Sequence, residues 1–172
     1  MIQKKRTKRI ALFGMLSAVA LVLGYVESLV PAFFMVPGMK LGLTNIVVLL
    51  ALYAMDEKAA VGINGVRIVL SALLFGSGAS FLYSLSGFLL STTLMILLKK
   101  TGKFSMTMVS MTGGISHNAG QILMAVVLMK TTAVGWYFVI LWFSGMISGI
   151  LIGLLGSMVY RKLPRKLWEE YS

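Results

Sequence analysis

The chain contains no cysteine, which excludes disulfides, thiolate metal sites and cysteine nucleophiles and leaves thiols silent about redox compartment. Carboxylates are almost as scarce, with five acidic residues among 172. No aspartate-rich pair is present to hold magnesium and diphosphate, and there is no GxxxxGK[ST] phosphate loop, serine–histidine–acid set or HExxH helix. The chain is therefore not expected to be an enzyme or to hydrolyse ATP, and it lacks the buried acid relay of a proton pump working alone. One histidine and one acid near the apolar interior do not make a first coordination shell, so neither a metal nor another cofactor is expected. The three prolines, Pro31, Pro37 and Pro164, all lie outside the long apolar runs, so no helix should be kinked by proline.

What remains is overwhelmingly apolar. With 58% hydrophobic and 12% charged residues and a mean hydropathy of +0.91, the chain has too little polar surface to face water and belongs in lipid. Six apolar segments can be drawn: Ile10–Val30, Leu41–Met55, Ala59–Ala79, Phe81–Leu98, Phe104–Met129 and Trp136–Tyr160. They use nearly the whole length, which predicts an all-α, polytopic bundle of six transmembrane helices forming a single integral membrane domain over residues 1–172. The first segment follows a basic stretch, Met1–Arg9, but is about the length of a full span and has no clear small-x-small cleavage site before Pro31, which reads as a retained helix. The second segment is short. It could extend back through Met39, with Pro31–Lys40 forming a loop or re-entrant cap, and the fifth could be tilted or broken at its glycines.

A net charge of +11 would suggest nucleic acid in a soluble protein, but here its placement speaks for a membrane and against a nucleic-acid partner. Thirteen of the sixteen basic residues fall at one set of segment ends, and only Lys40 and Lys130 at the other. The basic side is expected to be cytoplasmic, with both termini there, in a cell membrane. The asymmetry requires an even number of spans and so supports six. The basic ends could also bind anionic lipid head groups.

Small residues mark helix contacts. Gly145, Gly149, Gly153 and Ser157 recur every four residues in the sixth segment, and Gly14 with Ala18, then Ala20 with Gly24, form shorter pairs in the first. Packing within the bundle and docking to a partner subunit are both open for these ridges.

Polar groups inside apolar runs are the strongest pointers to function, because each costs at least ~2.5 kcal/mol at the bilayer centre if charged. Arg67 lies inside the third segment with Asn64 and Ser71 on the same helical face. Its guanidinium needs an anion: a ligand group, Glu27, or the head-group region reached by snorkelling. In the fifth segment His117 and Gln121 share a face, Asn118 points about 100° away, and Gly113, Gly114 and Gly120 leave space beside them. These side chains suit either a polar ligand or interhelical hydrogen bonds. Lys40, Thr44 and Asn45 gather at the start of the second segment, where a helix N-terminus favours an anion, although simple capping would use the same residues.

The runs KLGLTNI at 40–46, RIVLSALLFG at 67–76, SLSG at 84–87 and SHNAGQ at 116–121 resemble the bacterial Gx transporter family, also called heptaprenyl diphosphate synthase component I. The resemblance covers nearly the whole chain. That family is similar to the substrate-binding S-components of energy-coupling factor (ECF) transporters, six-helix vitamin binders that dock on a transmembrane coupling subunit driven by two ATPases. The resemblance implies an importer subunit that captures a small vitamin-like or anionic metabolite, with Gly14 and Ala18 in the place of the docking motif; the polar residues Lys40, Asn45, Asn64, Arg67, His117, Asn118 and Gln121 are then the candidates to line its site. The alternative it implies is a non-catalytic membrane accessory of isoprenoid or quinone synthesis that binds a prenyl diphosphate.

Overall fold

The computed structural model describes residues 2–29 and 42–163, and within them the backbone is helical, with no strand. Helix α1 spans Ile2–Leu29, α2 Leu43–Ala54, α3 Glu57–Phe75, α4 Gly78–Thr101 and α5 Met106–Met129. A 3₁₀ turn, Ala133–Trp136, leads into α6, Tyr137–Lys162. Residues 2–9 of the basic stretch ahead of the first apolar segment form the first turns of α1, since Lys and Arg are good helix formers that a hydropathy reading passes over. The expected third segment divides earlier than its apolarity suggests, at Gly76 and Ser77. There Ser77 and Ser80 form a reciprocal capping box, each hydroxyl accepting the other's backbone N–H, at 3.2 and 2.8 Å. Helix α5 runs unbroken through its glycines.

Among the described residues four elements are long and apolar enough to cross a membrane: Lys5–Leu29, α3, α4 and Ala133–Lys162. The other two helices depart from that pattern for different reasons. Helix α5 has the length, 24 residues, but carries the polar run Ser116–Gln121 at its centre. Helix α2 has only 12 residues and is buried on nearly all sides from Val47 to Ala54, because α1, α3 and α6 all pack against it. The remaining neighbours close the bundle, α3 on α4, α4 on α5 and α5 on α6. Its outer surface is apolar, with Leu73, Val127, Met129 and Ile147 all exposed, as a lipid-facing surface requires.

Short connections from α2 onward make those successive helices antiparallel and bring the basic residues of the described helices to one end of the bundle. Asp56 caps α3 by accepting the Ala59 N–H at 2.6 Å and pairs with Arg9 of α1, while Lys100 of α4 pairs with Glu57 at 3.0 Å. These partly exposed pairs fix register and contribute no more than about 1 kcal/mol each. Lys99 reaches further in, donating to the Leu52 carbonyl at 2.6 Å beside the Tyr53 ring, and so supplies a cation to the C-terminus of α2. Directly inside this end lies the apolar core, centred on Leu49, Leu52, Ile63 and Val109. The other half of the bundle holds the polar groups.

Glycines set the closest helix pair. Gly145, Gly149 and Gly153 of α6 are buried against α5, where a Cβ at Gly149 would stand 2.8 Å from the Ser110 carbonyl and one at Gly153 2.6 Å from the Thr107 Cα. The ridge then continues through Gly156, which meets Leu49 of α2, rather than through Ser157, whose hydroxyl bonds the Leu154 carbonyl of its own helix. On α1 the two small-residue pairs face opposite ways. Ala20 is buried and Gly24 lies against Thr44 and Arg67, whereas Gly14 and Ala18 are exposed, with nothing within 4 Å of a Cβ built on Gly14.

Candidate functional site

Arg67 stands ten residues into α3, about 15 Å from the start of that helix at 1.5 Å per residue, and its side chain turns toward α1. Asn64, buried one turn earlier, accepts a hydrogen bond from Arg67 Nε at 3.1 Å. That bond uses one edge of the guanidinium and orients the rest past Gly24, whose missing side chain leaves α1 close to Nη1. Glu27, one turn further along α1, accepts the backbone N–H of Gly42, the N-cap of α2. The carboxylate therefore sits at the positive end of the α2 dipole. Gly42 itself has φ +76°, a left-handed conformation that favours glycine.

Two cavities meet at this charged pair. The larger, about 170 Å³, lies between α1, α3 and α4 and reaches the turn at Gly76; Ser71, Ser80 and Ser84 give it polar walls, and Ile68, Phe75 and Phe81 apolar ones. The smaller, about 30 Å³, lies among α2, α5 and α6 and is lined by Thr44, Asn45, His117, Asn118 and Ser148. Both share Glu27, Arg67 and Ser84. Although Arg67 and Glu27 border the same space, no ion pair within 4.0 Å joins them, so the direct salt bridge considered from sequence is not formed.

The wall of the smaller cavity is built by helix–helix contacts. The His117 ring fills the space left by the absent side chain of Gly87 on α4, where a Cβ would lie 2.8 Å from Nδ1. Asn118 donates from Nδ2 to the Leu141 carbonyl of α6 at 2.6 Å, beside Gly145. His117 and Asn118 therefore border one cavity from a helix wedged between α4 and α6, even though they are about 100° apart on α5.

Of the residues singled out from sequence, Asn45, Arg67, His117 and Asn118 line the smaller cavity together, and Asn64 supports Arg67 from behind. Gln121 lines neither cavity. Lys40 lies outside the described residues, as does the Pro31–Lys40 segment. Sequence reasoning treated Glu27 only as a partner for Arg67, whereas it faces both cavities. It gave no place to Ser80, Phe75 or Phe81.

Some wall hydroxyls are left without partners. Thr44 Oγ1 and Ser71 Oγ are buried and make no hydrogen bond, one on each cavity, and Thr92 Oγ1 is in the same state in a third pocket of about 10 Å³ that also holds Asn45 and Asn64. An unmet buried hydroxyl costs roughly 1–3 kcal/mol, so these groups are set to bond whatever fills the space. Among the described residues no cluster of His, Cys, Asp or Glu could hold a metal ion.

No curated protein and no solved structure matches the chain. The model of the family described as heptaprenyl diphosphate synthase component I matches residues 16–159, most of the chain, and the protein belongs to that family.

Proposed function

We propose that this chain is the solute-binding membrane subunit of an ECF-type importer, non-catalytic in itself, which captures a small vitamin-like metabolite and depends on a coupling transmembrane subunit and ATPases for energy. The observation that carries this reading is the polar cavity bordered by Arg67 and Glu27, which reaches the end of the bundle away from the basic residues while an apolar core lies between it and the basic end. With the basic end cytoplasmic, the cavity faces the outside, as capture requires. The exposed face of α1 at Gly14 and Ala18 is then available to the coupling subunit. Arg67→Ala should weaken solute binding by tenfold or more, measured on the compound that the purified chain retains in mild detergent. Unchanged affinity would make Arg67 a structural residue and remove the main support.

The family description favours a second reading, a membrane component of a prenyl diphosphate synthase complex. A diphosphate suits the Arg67 cavity poorly, because Glu27 opposes its charge and the space is small. In that reading the basic ends hold the diphosphate. Native mass spectrometry of the mildly extracted protein separates the two: a retained polyprenyl diphosphate supports the second and a small polar compound the first.

A further inference from the structure

We infer that the solute is a zwitterion, a compound carrying one anionic group and one ammonium group on an apolar body; this deepens the solute-binding reading and rests on it. The site offers one fixed charge of each sign. Arg67 is held through Nε by Asn64, and Glu27 is held by the Gly42 N–H at the N-terminus of α2, so neither side chain has collapsed onto the other. Opposite charges bordering the same cavities without a direct contact within 4.0 Å leave room for a bridging molecule that presents a carboxylate to Arg67 and an ammonium to Glu27. A plain anion would satisfy Arg67 but meet Glu27 as a like charge. A plain cation would do the reverse, and an uncharged molecule would strip water from both charges and compensate neither.

The rest of the cavity fits the same class. The unpartnered hydroxyls of Thr44 and Ser71 lie on either side of the charged pair and supply further hydrogen bonds to a charged head. Toward the α3–α4 turn the walls become apolar at Ile68, Phe75 and Phe81, with Tyr25 packed on Phe75 at 5.3 Å between ring centroids. This end suits an aromatic or aliphatic body.

Three compounds of nearly the same shape test the inference: phenylalanine, 3-phenylpropionate, which lacks the ammonium, and 2-phenylethylamine, which lacks the carboxylate. Saturable binding of each radiolabelled compound is measured on the full chain in detergent after exchange of any retained ligand. Wild-type protein should bind phenylalanine at least tenfold more tightly than either analogue. Glu27→Gln should shift preference toward 3-phenylpropionate, and Arg67→Gln toward 2-phenylethylamine. Glutamine at 27 keeps an oxygen to accept the Gly42 N–H, so the α1–α2 contact survives, and a size-exclusion profile identical to wild type verifies the fold of both variants. Equal binding of phenylalanine and 3-phenylpropionate by wild type would overturn the zwitterion while leaving a solute site intact. Absence of saturable binding by all three also overturns it. The solute-binding reading itself falls on a different result, a mildly extracted protein that retains a polyprenyl diphosphate and no small polar compound in native mass spectrometry.

Discussion

His117 and Gly87 show how closely single residues set the site. The imidazole occupies the volume that a side chain at position 87 would need, and the His117 carbonyl lies only 2.9 Å from where that Cβ would fall. A ring can turn aside; a helical carbonyl cannot. Gly87→Ala should therefore push α4 away from α5, cost about 1–3 kcal/mol and displace His117 from the cavity wall. A lowered melting temperature in detergent together with weakened solute binding is the expected pair of results. Gly14→Leu, by contrast, meets open space and should leave the melting temperature unchanged. At this scale Arg67 and His117 were legible in the sequence, because polar groups are costly in an apolar run and stand out there. Glu27 was legible as a charge but not as a cavity wall, since only the fold shows that Asn64 and Gly42 hold the pair apart. Thr44, Ser71 and Thr92 gave less signal still. A helical hydroxyl can bond its own preceding turn, as Ser116 does to the Thr112 carbonyl at 2.6 Å, so its sequence position does not reveal that it lacks a partner.

Among the elements, α2 is the one whose ends must be held from outside. It is short, buried nearly all round and has no side-chain cap at either terminus. Glu27 serves its first turn and Lys99 its last, one from α1 and one from α4. Lys99→Met keeps much of the stem packing but removes the donor to the Leu52 carbonyl, which should cost roughly 1–3 kcal/mol. The expected result is earlier thermal unfolding with solute affinity nearly unchanged, since Lys99 is at the basic end and the cavities are at the other. A loss of affinity equal to that of Arg67→Ala would show that α2 transmits disorder along its length. The helices themselves were readable as apolar segments, and the glycine periodicity of α6 pointed to close packing. Hydropathy located the boundary between α3 and α4 poorly, because Leu74, Phe75 and Phe81 continue the apolar pattern across a turn that Ser77 and Ser80 define by hydrogen bonds. It missed the start of α1 for the opposite reason, since charged helical turns carry no apolar signal.

Across the whole molecule the governing asymmetry is electrostatic. Lys58, Lys99, Lys100, Lys103, Arg161 and Lys162 share the end at which α1 begins, while among the described residues Lys130 is the basic residue of the opposite end. Part of that charge is engaged, by Asp56 with Arg9 and by Glu57 with Lys100, but most of it faces outward. With α1 spanning the bilayer, its exposed small-residue face lies within it, where a bulky residue has no effect on folding but blocks close approach of another helix. Gly14→Leu should then abolish co-purification of a coupling subunit and ATPases from the native membrane while leaving the isolated chain stable. Retained co-purification would place the contact on another face. The orientation can be read independently, because a chain without cysteine is already a labelling background. Cysteine placed singly at Lys103 and at Lys130, both exposed at helix ends, gives two reporters on opposite sides of the bundle. In intact cells a membrane-impermeant maleimide should modify the residue at 130 and spare the one at 103, and after permeabilisation it should modify both. The reverse pattern would turn the Arg67 cavity toward the cytoplasm and end the case for capture from outside.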